Sequence, residues 1–175
     1  VRAHSSRFAE KGARVSRTFV FLRNRKTLVL LDELISPRSG KWEAYLHLAP
    51  ELEVNIDKLQ IIASAPEINS TVLEITSEQN NTTGVKLIKG QKKPILGWYS
   101  PDYGKIIPSP TLVFDRTGKN SGVSTILRFR NDTEQKIERL KTELRGDYYY
   151  ITWIEGDKKV GIKISKTQPL QVQQL

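Results

Sequence analysis

Few side chains in this 175-residue chain have the types and spacing that chemistry needs. Its two histidines, His4 and His47, lie far apart, with no helical or turn spacing that would aim both at one metal. Asp32 and Glu33 are adjacent on an apolar run, so on a strand they point to opposite faces. They cannot act as the paired carboxylates of a glycoside hydrolase. The simplest role for Asp32 is to end its strand by hydrogen-bonding nearby backbone. The absence of cysteine removes disulfides, thiol nucleophiles and thiolate metal sites. No serine sits in a nucleophile elbow, and there is neither a glycine-rich phosphate loop nor an EF-hand pattern. Asn69, Asn80, Asn81 and Asn131 begin N-x-Ser/Thr sequons, which matter only in a glycosylating host. No catalytic residue and no metal ligand is assigned.

What remains is an aromatic and polar stretch, GWYSPDYGK, at residues 97–105. Tyr99 and Tyr103 offer flat faces, with Asp102 and Lys105 beside them as polar hands. That combination suits sugar rings, which present apolar C–H faces ringed by hydroxyls. Tyr99, Asp102, Tyr103 and Lys105 are therefore the candidate substrate-binding residues. A second reading stands beside it: a loop strapped onto the fold by its aromatics. Pro101, Pro108, Pro110 and Gly104 exclude a central strand or helix over residues 99–110 and predict an irregular loop. Tyr103 falls at its tip, while Trp98 ends a strand and belongs with the core.

The elements that must position these residues are strands. Residues 14–23, 27–34 and 42–48 read as three consecutive strands, a meander that needs a second layer over its apolar faces. In the third, Trp42, Ala44, Leu46 and Leu48 share one face, and Glu43, Tyr45 and His47 the other. Further short strands follow at residues 59–63, 71–76, 85–89, 95–99, 111–114 and 123–129. A clear hairpin joins residues 148–154 to 160–164 through Glu155-Gly156-Asp157-Lys158. One exception is predicted: Asp132 and Gln135 resemble a capping box, and Ile137, Leu140 and Leu144 fall on one helical face, giving a short helix over residues 133–144. Residues 1–12 read as a polar lead-in and residues 170–175 as a loose tail. The expected fold is an all-β antiparallel sandwich with at most one short helix, a single domain over residues 1–175.

The net charge of +9 favours polyanions: nucleic acid, anionic lipid or acidic polysaccharide. The lysines and arginines are spread along the chain rather than gathered in a block, which predicts weak, salt-sensitive binding or simply a solvated basic surface. No apolar run approaches the roughly 18 residues of a membrane span. The first ten residues are polar and lack a signal-peptide pattern. A start at Val rather than Met leads to the expectation that the chain is part of something longer.

Several segments, taken in order, resemble heparinase II/III-like polysaccharide lyases. Ala3 and His4 lead to Arg17 at the opening of a strand. The strand TLVLLDEL, residues 27–34, carries Asp32. LHLAP follows at residues 46–50, and GWYSPDYG at residues 97–104 is similar to a Tyr-Ser-Pro-x-Tyr-Gly segment of that family. The resemblance spans about residues 3–114, with Phe8 standing where a tyrosine is usual. It implies the C-terminal β-sandwich region of an enzyme in which a helical toroid comes first and the active site lies between the two parts. Such enzymes cleave uronic-acid polysaccharides by β-elimination, with a base removing the proton α to the carboxyl group and an acid protonating the leaving oxygen. The resemblance further implies a bacterial protein of the periplasm or exterior, and an acidic polysaccharide as partner. The family's His-x-His-x-Asp segment and His-Asn pair do not occur here, so base, acid and divalent-metal ligands would lie upstream of Val1. No cofactor is expected in this chain, which on that reading is inactive alone. The alternatives are a free-standing carbohydrate- or polyanion-binding module and a structural β domain.

Overall fold

A computed structural model describes residues 1–5, 9–65, 67, 71–131 and 134–175, apart from the side chains of Lys11 and Thr71. Phe8, Asn69 and Asp132 lie outside the described residues, and with them the tyrosine departure, one sequon and the capping residue of the expected helix. Among the described residues, eighteen strands follow in chain order. They are β1 (Arg2–Ser5), β2 (Arg14–Leu22), β3 (Thr27–Ile35), β4 (Gly40–His47), β5 (Glu53–Asp57), β6 (Gln60–Ser64), β7 (Thr71–Ser77), β8 (Thr82–Ile88) and β9 (Gln91–Lys92). The rest are β10 (Ile95–Leu96), β11 (Trp98–Asp102), β12 (Lys105–Pro108), β13 (Thr111–Gly118), β14 (Ser121–Asn131), β15 (Ile137–Arg145), β16 (Tyr148–Glu155), β17 (Lys158–Ser165) and β18 (Val172–Gln174). Among the described residues the only helical turns are 3-10 turns at Ala9–Lys11 and Arg23–Arg25.

The central layer is a seven-stranded sheet in the order β1-β2-β3-β14-β7-β6-β5. Both faces of its middle strands are covered, which is why residues 28–31 read as a continuous apolar run. On one face Val20, Leu22, Val29, Leu31 and Ile126 pack against the four-stranded sheet β15-β16-β17-β18, around the buried Trp153. On the other, Ile61, Ala63 and Ile75 pack against Ala44, Leu112 and Phe114 of the three-stranded sheet β4-β13-β8 and against Leu48, just past the end of β4. All the pairings are antiparallel, so the expected β-sandwich is present, with a cover on each side of its central sheet. Among the described residues no helix is long and apolar enough to cross a membrane.

Five readings of local structure are corrected. The polar lead-in contributes β1, which pairs with β2 from Arg2↔Thr18 to Ser5↔Val15. The third strand of the expected meander, β4, leaves the sheet and pairs instead with β13. The break after Pro50 opens into β5, and the tail supplies β18 at the edge of the four-stranded sheet. The helix over residues 133–144 is the strand β15, paired with β16 from Ile137↔Glu155 to Arg145↔Tyr148. Its helix-like spacing comes from a bulge: the register shifts between Glu138 and Lys141, with Arg139 at φ 52°. The extra residue lets Ile137 and Leu140 both face the core although they are three apart, while Leu144 stays exposed.

Candidate functional site

The segment between β8 and β13 departs from the three-stranded sheet and forms two small ribbons, β9 with β10 and β11 with β12. The irregular loop expected over residues 99–110 is thus largely a hairpin. Its prolines are compatible with this because the ribbon is peripheral rather than central. Trp98 opposes Pro108, and its indole N–H donates to the Gln91 carbonyl at 2.7 Å. Its ring lies over Gly90, and it is half-buried rather than a core residue. Tyr99 opposes Ile107 on the other face of the ribbon, and both are exposed.

The four candidate residues fall in this one hairpin. Asp102 and Lys105 close it, with Nζ 3.9 Å from the carboxylate, and the Asp102 carboxylate accepts the Tyr103 backbone N–H at 2.7 Å. Gly104, at φ 72°, makes the reversal. Tyr103 projects from the tip fully exposed at 101%. The hairpin therefore presents two tyrosine rings, a carboxylate and an ammonium, all of them exposed.

Sequence reasoning missed a buried charge cluster between the central and three-stranded sheets. Asp32 does not end its strand on backbone. It sits inside β3, where the Arg17 guanidinium grips it through Nε at 2.5 Å and Nη2 at 2.9 Å. Arg116 reaches the same carboxylate from β13 at 2.6 Å and donates to Thr125 Oγ1 at 2.8 Å. The Arg116 guanidinium lies 5.1 Å from the centre of the Trp42 ring. The signal was present in the alternation Leu112, Phe114, Arg116, which places an arginine on the buried face of a strand. An open groove of about 570 Å³ runs past this cluster, lined by Val15, Arg17, Lys41, Trp42, Glu43 and Tyr45.

Two more carboxylates are held on the opposite face. Glu74 accepts from Arg128 at 2.7 Å and from the Ile137 amide at 2.8 Å, with Arg130 at 3.3 Å. Glu33 accepts from Ser16 at 2.9 Å and lies 3.5 Å from Arg2. Burial, then the Glu33 charge, pushes the Tyr149 phenol well above its ordinary range, so it stays protonated. Glu78 is also buried, neither of its carboxylate oxygens has a hydrogen-bond partner among the described residues, and desolvation raises its carboxyl above the ordinary glutamate range. Of the histidines, His4 is exposed and His47 pairs its Nδ1 with Thr111 Oγ1 at 2.9 Å. Among the described residues no three His, Asp or Glu side chains converge as metal ligands.

No family model matches the sequence. No curated protein matches it significantly either. Solved structures do match the fold. A mutant of the heparan sulfate lyase HepC from Pedobacter heparinus superposes with a TM-score of 0.70 at 16% identity, over 89% of this chain and 24% of the lyase. The unmutated HepC gives 0.69 at 16% identity, again over 89% and 24%. A heparinase III crystal structure gives 0.69 at 14% identity over 87% and 24%. The resemblance read from the sequence is therefore met in the fold: this chain has the fold of a region of the heparinase III-type lyases. It spans about a quarter of their length.

Proposed function

We propose that this chain is the non-catalytic, C-terminal β-sandwich of a longer heparinase II/III-like polysaccharide lyase. In this reading it walls one side of the cleft in which an acidic, uronate-containing polysaccharide is cleaved. The observation that carries the proposal is the fold likeness to heparinase III and HepC over nearly the whole chain. Two of the residues that suggested the family also meet in space, since Arg17 and Asp32 form one ion pair, and His47 bonds Thr111, the first residue of β13. An upstream helical toroid would supply base, acid and any divalent metal. One corner of the central sheet leaves Phe19, Phe21 and Phe129 exposed, an apolar surface of the kind that a further domain covers. On this proposal the setting is the bacterial periplasm or exterior.

The hairpin is the part that reaches the glycan. Tyr99 and Tyr103 stack on sugar rings, and Lys105 meets a carboxylate or sulfate while Asp102 holds the turn. The test is resonance mapping of the 175-residue chain with heparan sulfate oligosaccharides. The expected shifts fall on Tyr99, Asp102, Tyr103 and Lys105, and their absence at saturating oligosaccharide would refute the hairpin's role.

A further inference from the structure

The outer face of the four-stranded sheet brings together charges that are dispersed in sequence. Register places Arg145, Glu143 and Lys141 of β15 opposite Tyr148, Tyr150 and Thr152 of β16. Those residues in turn oppose Ser165, Lys163 and Gly161 of β17, and Lys159 opposes Ile154 in the next row. Lys163 Nζ stands 3.9 Å from the centre of the Tyr148 ring and 5.8 Å from that of Tyr150, and the Arg145 guanidinium lies 5.2 Å from Tyr150. Thr152 and Gly161 are small and form the floor of a groove of about 560 Å³, walled by Lys141, Glu143, Arg145, Tyr150 and Lys159, with Leu175 lying against Gly161 at one side. The same edge carries Glu138, opposite Ile154.

We infer that this face is a second binding site for an acidic glycan, remote in sequence from the hairpin, holding one or two sulfate or carboxylate groups over Thr152 and Gly161. Lys159 and Lys163 lie about 13 Å apart along β17, and β15 runs two strand spacings, about 10 Å, away. The cations therefore ring a trough wide enough for a single polysaccharide chain. Aromatic contact fixes Lys163 and Arg145 in place, so their N–H groups need little ordering when they meet an oxyanion. The same contacts argue against nucleic acid, because a ring with an ammonium over its face is not free to stack on a base. Glu143 is the natural competitor: it pairs with both Lys141 and Arg145, which hold its carboxyl below the ordinary range. A glycan anion would displace it from one of them. The glycan class rests on the function proposed above; the site itself rests on charge and register.

The test is calorimetry with defined heparin oligosaccharides. Lys141→Gln/Lys159→Gln/Lys163→Gln is expected to weaken binding at least about tenfold and to flatten its salt dependence, since counterion release follows the cations engaged. A control losing the same charge elsewhere, Lys26→Gln/Lys58→Gln/Lys119→Gln, should stay within about twofold, and Glu143→Gln should tighten binding. Resonance shifts at the hairpin residues Tyr99, Asp102, Tyr103 and Lys105 should persist in the first triple variant, which separates this face from the hairpin. Equal losses in both triple variants, or none in the first, would overturn the inference. So would an oligothymidylate that binds as tightly as heparin and is lost with the first triple variant, because it would assign the face to single-stranded nucleic acid.

Discussion

Arg116 Nη1 stands 2.6 Å from Asp32 Oδ2, and this ion pair ties the three-stranded sheet to the central one. Both side chains are nearly inaccessible, at 1% and 4% exposure. Burial lowers the Arg116 pKa, while the Asp32 charge and hydrogen bond hold the guanidinium ionised. Removing one partner leaves the other charge desolvated, so Asp32→Asn and Arg116→Met are each expected to cost about 3–5 kcal/mol. The double variant Asp32→Asn/Arg116→Met should cost less than the sum, because no buried charge is stranded between those two positions. Urea unfolding measures both, and additive losses would mean that the pair does not act as a unit.

Gly122 makes room for the ring of Tyr149. A Cβ at that position would lie 2.4 Å from Tyr149 Cε1, so Gly122→Ala must push β14 or the ring aside. The expected loss is about 1–3 kcal/mol, as for overpacking elsewhere. Gly122→Ala combined with Tyr149→Leu should be less than additive in thermal denaturation. Full additivity would place the strain elsewhere.

Glu78 gives the fold a pH dependence of defined sign. Its folded pKa is raised, chiefly by desolvation, so its contribution to stability is fully present below the ordinary glutamate pKa. That contribution is lost as pH rises through the elevated folded value. Glu78→Gln should therefore raise the melting temperature relative to wild type at neutral pH and change it least in mild acid. A variant advantage that grows as pH falls would contradict the assigned sign.

The strand content and the two-sided burial of β3 were legible because residues 28–31 are apolar without interruption and β4 alternates cleanly. The long-range partners were not. Nothing local tells β4 to leave β3 for β13, and the edge strands β1, β5 and β18 draw their order from neighbours rather than from their own polar sequences. Asp32 was misread because its two arginines lie on different strands, one of them 84 positions away. Tyr99, Asp102, Tyr103 and Lys105 fall in one hairpin because their spacing is local, whereas Trp98 is half-buried and not the core residue expected.

Residues 133–144 show how a tertiary feature can imitate a local one. Helical spacing of Ile137 and Leu140 arises from one extra residue at Arg139, in the left-handed region. Glycine is at ease there, so Arg139→Gly is expected to be neutral or stabilising by up to about 1 kcal/mol, and Arg139→Val destabilising. Chemical denaturation of the two variants checks this. A loss of stability with glycine would show that the arginine side chain, not the bulge, holds the position.

On the function proposed above, this β-sandwich contacts the glycan through the hairpin and leaves the chemistry to the rest of a polysaccharide lyase. The most direct test is the hairpin of the isolated chain titrated with heparan sulfate oligosaccharides and followed by amide and aromatic resonances. The expected result is saturable shifts at Tyr99, Asp102, Tyr103 and Lys105, with no unsaturated product in the sample, and smaller shifts at Tyr99, Asp102 and Lys105 in Tyr103→Ala at the same oligosaccharide concentration. A hairpin that stays unperturbed at saturation, or unsaturated uronate accumulating with the isolated chain, would contradict it.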